Sequence, residues 1–365
     1  FTVPRISGPG FQVLTPVSWI GDSLPPDGMN PMVMRMNDDA WGAPADRLEL
    51  YSIDVDWSNE ANSVVTETLI PTAPFDAEFC SVSGPGFTCV PQPNGVGIDG
   101  IPWVIMHRMK YRRFAEHSAI VLNFTVDVSG DDDAGIRWIE LRADSTDDWT
   151  IYQEGTVGTL DGENRFMGGI SIDGKGNIGL GYNVSSETTW PSLRFTGRRA
   201  SDPLGEMSVE EYEFAAGTGG VNGARFGDYA SMSVDNQNMF WYAGEYVTTG
   251  PEWRTRIVGF KLLREQVDIG PVELAAPVNA PDLESENVTV GIINHGIQPQ
   301  TTFDIGYVFE GGAPVIESVT IDSLFTDSVY MHTFAEPVTF AGFGDYSLMV
   351  YTSMVSDSNT INDTC

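Results

Sequence analysis

With 365 residues the chain is long enough for two or three domains with sizeable cores. Its 19 Lys+Arg against 51 Asp+Glu leave a net charge of −32, which repels phosphate backbones and anionic headgroups and excludes nucleic acid as the expected partner. Aromatics at 11%, 39 Gly, 22 Pro and only 19% charged residues fit a turn-rich all-β protein better than a helical one. No apolar run has the length of a membrane-spanning helix, so direct membrane insertion is not expected. Neither a signal peptide nor an initiator Met is present, and the expectation is a mature product or a fragment.

Along the chain, "VLTPVSWIGDSLPPDG" through "LELYSIDVDW" (48–57) reads as β-rich. Cys80 and Cys89 then bracket Gly84-Pro85-Gly86, a turn able to bring two sulfurs together as a local disulfide; two unrelated thiols are the other reading. Cys365 is left over, which suggests a partner or more chain beyond it. "MHRMKYRRF" is the one basic island. Arg108, Lys110 and Arg112 alternate along a strand as a cationic row, either a pocket for an anionic glycan or a row neutralised by acidic neighbours. In "AIVLNFTVDV" Ile120, Leu122, Phe124, Val126 and Val128 fall on one face, with Val121, Asn123, Thr125 and Asp127 on the other. Asp131, Asp132 and Asp133 follow as a candidate Ca²⁺ loop or a solvated hairpin tip. "SVEEYEFA" (208–215) is the best candidate for a helical turn.

A repeat runs through this region. "RFMGGISIDGKGNIGLGYNV" begins at Arg165 and "RFGDYASMSVDNQNMFWYAGEY" at Arg225. Asp173 matches Asp235, Arg194 matches Arg256 and Gly197 matches Gly259, each 62 residues apart, while Arg137 precedes Arg194 by 57. A period near 60 with several short strands per period predicts propeller blades, about four of them within 1–265, as part of a larger propeller. Asp173 and Asp235 are expected to bond the backbone of a tight turn in each blade. Phe240, Trp241, Tyr242 and Tyr246 would fill the space between neighbouring sheets.

Residues 266–282 are rich in Pro and Ala without alternation and read as a linker. From 283 to 365, short strands at close intervals predict an immunoglobulin-like β-sandwich. Phe303, Ile305, Tyr307 and Phe309 share one face there, as do Tyr346, Leu348, Val350 and Thr352.

"MHRMKYRRFAEHSAIVLNFTVDV", "GIRWIELR", "GGISIDGKGNIGLGYNVSS", "PSLRFTGR" and "FGDYASMSVDNQNMFWYAGEY" resemble a family of exported bacterial propeller proteins frequent in Bacteroidetes. The tail, ending "DSNTINDT", is similar to the cell-adhesion-related bacterial domain, an immunoglobulin-like sandwich. The resemblance implies export through the type IX pathway, contact with that secretion machinery, and display outside the outer membrane. It also implies that further blades precede Phe1 and that a sorting signal follows Cys365. It assigns no catalytic residue.

The sharpest enzymatic idea is a sialidase-like glycoside hydrolase. Arg137, Arg194 and Arg256, converging on a propeller axis, would grip a carboxylate sugar, with Glu140, Glu245 or Tyr242 as acid or nucleophile. The alternative pairs each Arg with an acidic neighbour or an aromatic ring, and repetition in every blade favours it. The Ser-x-Asp-x-Gly-x-Thr-Trp turn of sialidases is also not met, because Lys175 stands where Gly is needed. His107, His117, His295 and His332 show no paired zinc spacing. The sequence therefore points to a secreted or cell-surface adhesion protein that binds a glycan or a protein without chemistry. An exported hydrolase, or the accessory part of one, is the second hypothesis.

Overall fold

The structure is a computed structural model describing residues 13–79, 88–144, 148–249, 252–262, 266–278, 283–357 and 363–364. It is all-β as expected: the only helical elements among these residues are 3₁₀ turns at Asp39–Trp41 and Glu60–Asn62. The chain divides into two units, Phe1–Leu262 and Leu263–Cys365.

The first unit is built from consecutive antiparallel meanders. The first contains β1 (Thr15–Trp19), β2 (Met32–Asn37), β3 (Arg47–Asp54) and β4 (Val64–Pro71). The second contains β5 (Met109–Arg113), β6 (Ser118–Asp127), β7 (Ala134–Ala143) and β8 (Thr150–Val157). The third contains β9 (Asn164–Ile172), β10 (Ile178–Ser185), β11 (Ser192–Arg198) and β12 (Val209–Ala215). The fourth contains β13 (Ser231–Val234), β14 (Phe240–Val247) and β15 (Trp253–Phe260).

The first two meanders are not separate blades. β1 pairs in parallel with β5, placing Val17 opposite Met109 and Ser18 opposite Lys110, so the eight strands form one sheet. The alternation in β6 has a two-sided purpose. Ile120, Leu122, Phe124 and Val126 join Met34, Leu48 and Leu50 in one core, while Ala119 and Val121 pack on Ile170, Ile172 and Leu180 of the third meander. A further core lies between the third and fourth meanders, where Phe240 and Tyr242 meet Leu193. Trp241 points the opposite way and is 41% exposed, so it does not fill that space; its Nε1 donates to Asp235.

The 62-residue repeat is present in the atomic detail. Gly179 pairs with Gly197 and Gly181 with Phe195; 62 residues on, Trp241 pairs with Gly259 and Ala243 with Ile257. Asp173 Oδ1 accepts the N–H groups of Lys175 and Asn177, and Asp235 Oδ1 accepts those of Gln237 and Met239. The left-handed position in each turn falls on Gly176 (φ 84°) and Asn238 (φ 58°), residue types that tolerate positive φ. The two turns are also bonded, Gly174 N–H donating to Asn238 Oδ1 at 2.7 Å. Because Asp173 is 2% exposed and also accepts from the Asn177 amide, Asp173→Ala is expected to cost about 1–3 kcal/mol. Urea unfolding of the variant checks this, and an unchanged midpoint would reject it.

Two expectations are corrected. Residues 208–215 are not a helical turn but β12, the outer strand of its meander, whose Glu211 and Glu213 face Arg194 of β11. An edge strand can be this charged because only one face meets the core. Residues 266–282 are not simply a linker, because they contain β16 (Ile269–Ala276). That strand lies at a sheet edge, where Pro271 leaves an unpaired side open and costs no ladder bond.

The second unit continues with β17 (Ser285–Glu286), β18 (Thr289–Asn294), β19 (Gln300–Phe309), β20 (Val315–Leu324), β21 (Val329–Thr333), β22 (Val338–Thr339) and β23 (Leu348–Ser353). Sheets β16-β18-β21 and β20-β19-β23 enclose one core, with Val290 and Ile292 from the first meeting Phe303, Ile305, Tyr307 and Val350 from the second. This is a β-sandwich, and its inward faces are those the alternation predicts.

Candidate binding site

The long connection between β4 and β5 lies against the segment that leads into β13. Gln92 and Asn94 donate to Val221 O, the Asp99 N–H donates to Ala224 O, and Ser185 Oγ donates to Pro91 O. The connection is fixed to β6 as well, through Thr125 Oγ1 to Gly100 O and the Met106 N–H to Asn123 O. Ile101 (φ 41°) and Trp103 (φ 75°) take left-handed conformations there, which a side chain adopts only under constraint from its surroundings.

These contacts bring Asp99 to Arg225 and Asp228. Arg225 Nε donates to Asp228 Oδ2 at 2.9 Å, Nη2 bonds the same oxygen, and Asp99 Oδ2 lies 3.9 Å from Arg225 Nε. The carboxylates are sheltered, with side chains 6% and 13% exposed, while the Arg225 side chain is 65% exposed. Burial raises the Asp99 carboxyl above its ordinary pKa; the Ile101 N–H and Arg225 oppose this, and the Asp228 charge adds to it. Asp228 Oδ1 is buried with no hydrogen-bond partner among the described residues. Gly227 (φ 83°) supplies the bend that sets Asp228 in place, its N–H donating to Glu245 Oε2, and Tyr229 stands 86% exposed next to it. The site offers an exposed guanidinium and an exposed aromatic ring, anchored on sheltered carboxylates.

The sequence reading missed Asp99, Arg225 and Asp228 as a site. The signal was the break in the repeat. Arg165-Phe166 and Arg225-Phe226 begin equivalent segments only 60 residues apart, whereas the turns beyond are 62 apart, so the later copy holds two extra residues around Gly227-Asp228. The first arginine of the pair is structural: burial alone would lower the Arg165 pKa, but its bonds to Asp161 and Glu211 outweigh this and push it up.

Among the described residues, the repeated arginines share no partner. Arg137 pairs with Glu154 at 2.6 Å, on the neighbouring strand of its own sheet. Arg194 holds Glu211 at 2.7 Å and Glu213 at 3.3 Å, and Arg256 lies exposed on β15. A three-arginine grip on one sugar carboxylate is therefore not assembled. Glu140 is fully buried and takes Arg142 and Gln153. Tyr242 is fully buried in a core, where burial raises its hydroxyl pKa.

Asp131, Asp132 and Asp133 form the tip of the β6–β7 hairpin, which Asp127 closes by accepting the N–H groups of Ser129, Gly130 and Asp132. Among the described residues, the one group of three or more metal-type ligands within 4.8 Å is elsewhere, at Asp38, Asp39 and Asp46. There both oxygens of Asp38 and of Asp46 already accept backbone N–H groups, so these carboxylates tie loops together. Cys80 lies outside the described residues, and Cys89 is partly buried against the core around Val221. The row Arg108, Lys110 and Arg112 occupies β5 and the residue before it, opposite the Met109 and Tyr111 face that enters the core.

No protein-family model matches the chain, and no curated protein does. Among solved structures, a GH43 endo-arabinanase from Bacillus licheniformis is similar at 10% identity over 90% of this chain and 96% of its own, with a TM-score of 0.31. A xylan β-1,4-xylosidase from Bacillus halodurans C-125 is similar at 6% identity over 100% and 92%, with a TM-score of 0.22. Likeness at this level fixes neither the fold nor the activity of this chain.

Proposed function

We propose that this chain is a glycan-binding module of an exported, surface-displayed protein, its first unit a run of β-propeller blades and its second an immunoglobulin-like adhesion sandwich. The register-matched meanders packed face to face support the propeller reading, and the two-sheet core supports the sandwich. The acidic surface suits an extracellular, soluble display. Export by the type IX route, a Bacteroidetes-type origin and a Cys80–Cys89 bridge belong to the same reading.

The observation that carries it is the exposed Arg225 guanidinium, held by the sheltered Asp228 carboxylate close to the exposed Tyr229 ring. A sugar presents adjacent hydroxyls that accept from a guanidinium, and its apolar face stacks on an aromatic ring. Asp228→Asn keeps the shape of the site and removes the charge that anchors the Arg225 guanidinium. It is expected to weaken binding of the oligosaccharide selected from a glycan panel by tenfold or more, with an unchanged unfolding midpoint. Equal affinity in wild type and variant would reject this site.

One observation favours the hydrolase reading: Asp99, whose burial raises its pKa near a second carboxylate, has the form of a general acid. Release of new reducing ends by wild type, lost in both Asp99→Asn and Asp228→Asn, would make it the better account.

A further inference from the structure

The basic row on β5 holds a cation that no carboxylate among the described residues answers. In a chain with 51 Asp+Glu, Lys110 is 7% exposed and makes no hydrogen bond or ion pair among the described residues. Its neighbours in register are Ser18 of β1 and Val121 of β6, and Val121 packs on Ile170 and Ile172 of β9. The nearest charge that acts on it is Arg108, of the same sign. Arg108 stands two residues away on the same face, bonded through Nη1 to Ser18 Oγ at 3.2 Å. On the far side Arg112 donates from Nε to Ile172 O at 3.0 Å, with Asp22 and Asp173 acting on its charge. Two carboxylates therefore act on the Arg112 end of the row, and among the described residues none pairs with Arg108 or Lys110.

A nearly buried side chain whose ammonium has no counter-ion is costly, and Lys110 Nζ keeps enough contact with solvent for an anion to reach it. We propose that Lys110, flanked by Arg108 and the Ser18 hydroxyl, is the floor of an anion site on the β1–β5 seam that takes one small oxyanion group, the carboxylate of an acidic sugar or a sulfate or phosphate ester.

Two cations two residues apart on one strand face, with a hydroxyl donor between them, suit an oxyanion with several acceptor oxygens. The site is separate from Asp228, so it does not depend on that site binding glycan. Burial and Arg108 lower the Lys110 pKa to about 8, so the cation the site needs disappears as pH rises past that value.

The test uses the whole chain at fixed ionic strength, with sodium sulfate, sodium phosphate and sodium glucuronate against a sodium chloride control. At pH 6.5 at least one of the three is expected to raise the melting temperature saturably and to bind by calorimetry, at least tenfold more weakly at pH 9.5. Sulfate or phosphate acting alone would identify an ester group, and glucuronate acting alone a sugar acid. Lys110→Met, which matches the stem and removes the charge, is expected to lose the response and to melt no lower than wild type without anion. Arg108→Gln is expected to weaken binding several-fold, and Asp228→Asn to leave it unchanged. An equal response in Lys110→Met, or no response of wild type beyond chloride, overturns the proposal.

Discussion

Glu49→Ala is expected to destabilise the first unit by about 3–5 kcal/mol, because it removes the carboxylate around which a buried polar cluster is built. Glu49 lies opposite Arg35 in the β2–β3 register and is 2% exposed. Its oxygens accept from Arg35 Nε at 2.7 Å, Asn37 Nδ2 at 2.7 Å and Arg47 Nη2 at 2.8 Å. Burial by itself would raise the Glu49 carboxyl, but the bonds from Asn37, Arg35 and Arg47 outweigh it and hold the pKa at about 2. Taking the ordinary value of 4.5 for the unfolded chain, the folded state binds this proton less readily. The stabilisation is complete above pH 4.5 and is lost as pH falls toward 2, about 3 kcal/mol in all. Urea unfolding should therefore show the gap between wild type and Glu49→Gln narrowing from pH 5 to pH 3. A constant gap would mean that the carboxylate charge contributes nothing.

Tyr242→Ala is expected to cost about 3–5 kcal/mol, since it empties a fully buried ring from the core between the third and fourth meanders. The ring lies over Gly181, where an added Cβ would come within 2.5 Å of it, and it meets Phe214 edge-on at 6.0 Å. The neighbouring Phe240 sits over Gly179 in the same way, at 2.6 Å. "GLGY" is thus flat on one side so that the next sheet's aromatics can approach the backbone, while Leu180 and Tyr182 face the other core. Gly181→Leu should cost about 1–3 kcal/mol or more by forcing Tyr242 aside. The double variant should cost less than the sum of the two, because the leucine fills part of the space the ring leaves. Tyr242→Phe should be neutral or stabilising, since the buried hydroxyl has no partner among the described residues. Strict additivity of the two large effects would contradict the packing of these sheets on one another.

The legible parts of this protein are those set by local periodicity. Alternation in 118–127 gave β6 its two faces, and the 62-residue echo gave the matched Asp173 and Asp235 turns, because both depend on neighbours in sequence. The fusion of β1 to β5 was hidden, since a parallel pairing across ninety residues leaves no local mark. Edge strands β12 and β16 were misread for a related reason: a strand with one open side tolerates the Glu run or the Pro that elsewhere would break it.

The candidate site was harder to read than the fold. Repetition drew attention to Arg137, Arg194 and Arg256, yet the first two serve their own sheets by meeting carboxylates one strand away. Asp99 reaches Arg225 only through the long connection before β5, so no spacing rule joins them. Lys110 was visible as one of a row, but its lack of a counter-charge emerges only when β1, β6 and β9 are placed around it.

Calorimetric titration of the whole chain with the oligosaccharide selected from a glycan panel, followed by a reducing-end assay on the same mixture, tests the central claim most directly. The expected result is saturable binding that Asp228→Asn weakens by tenfold or more, with the sugar recovered uncut. Cleavage of the sugar by wild type, or binding that survives Asp228→Asn unchanged, would contradict it.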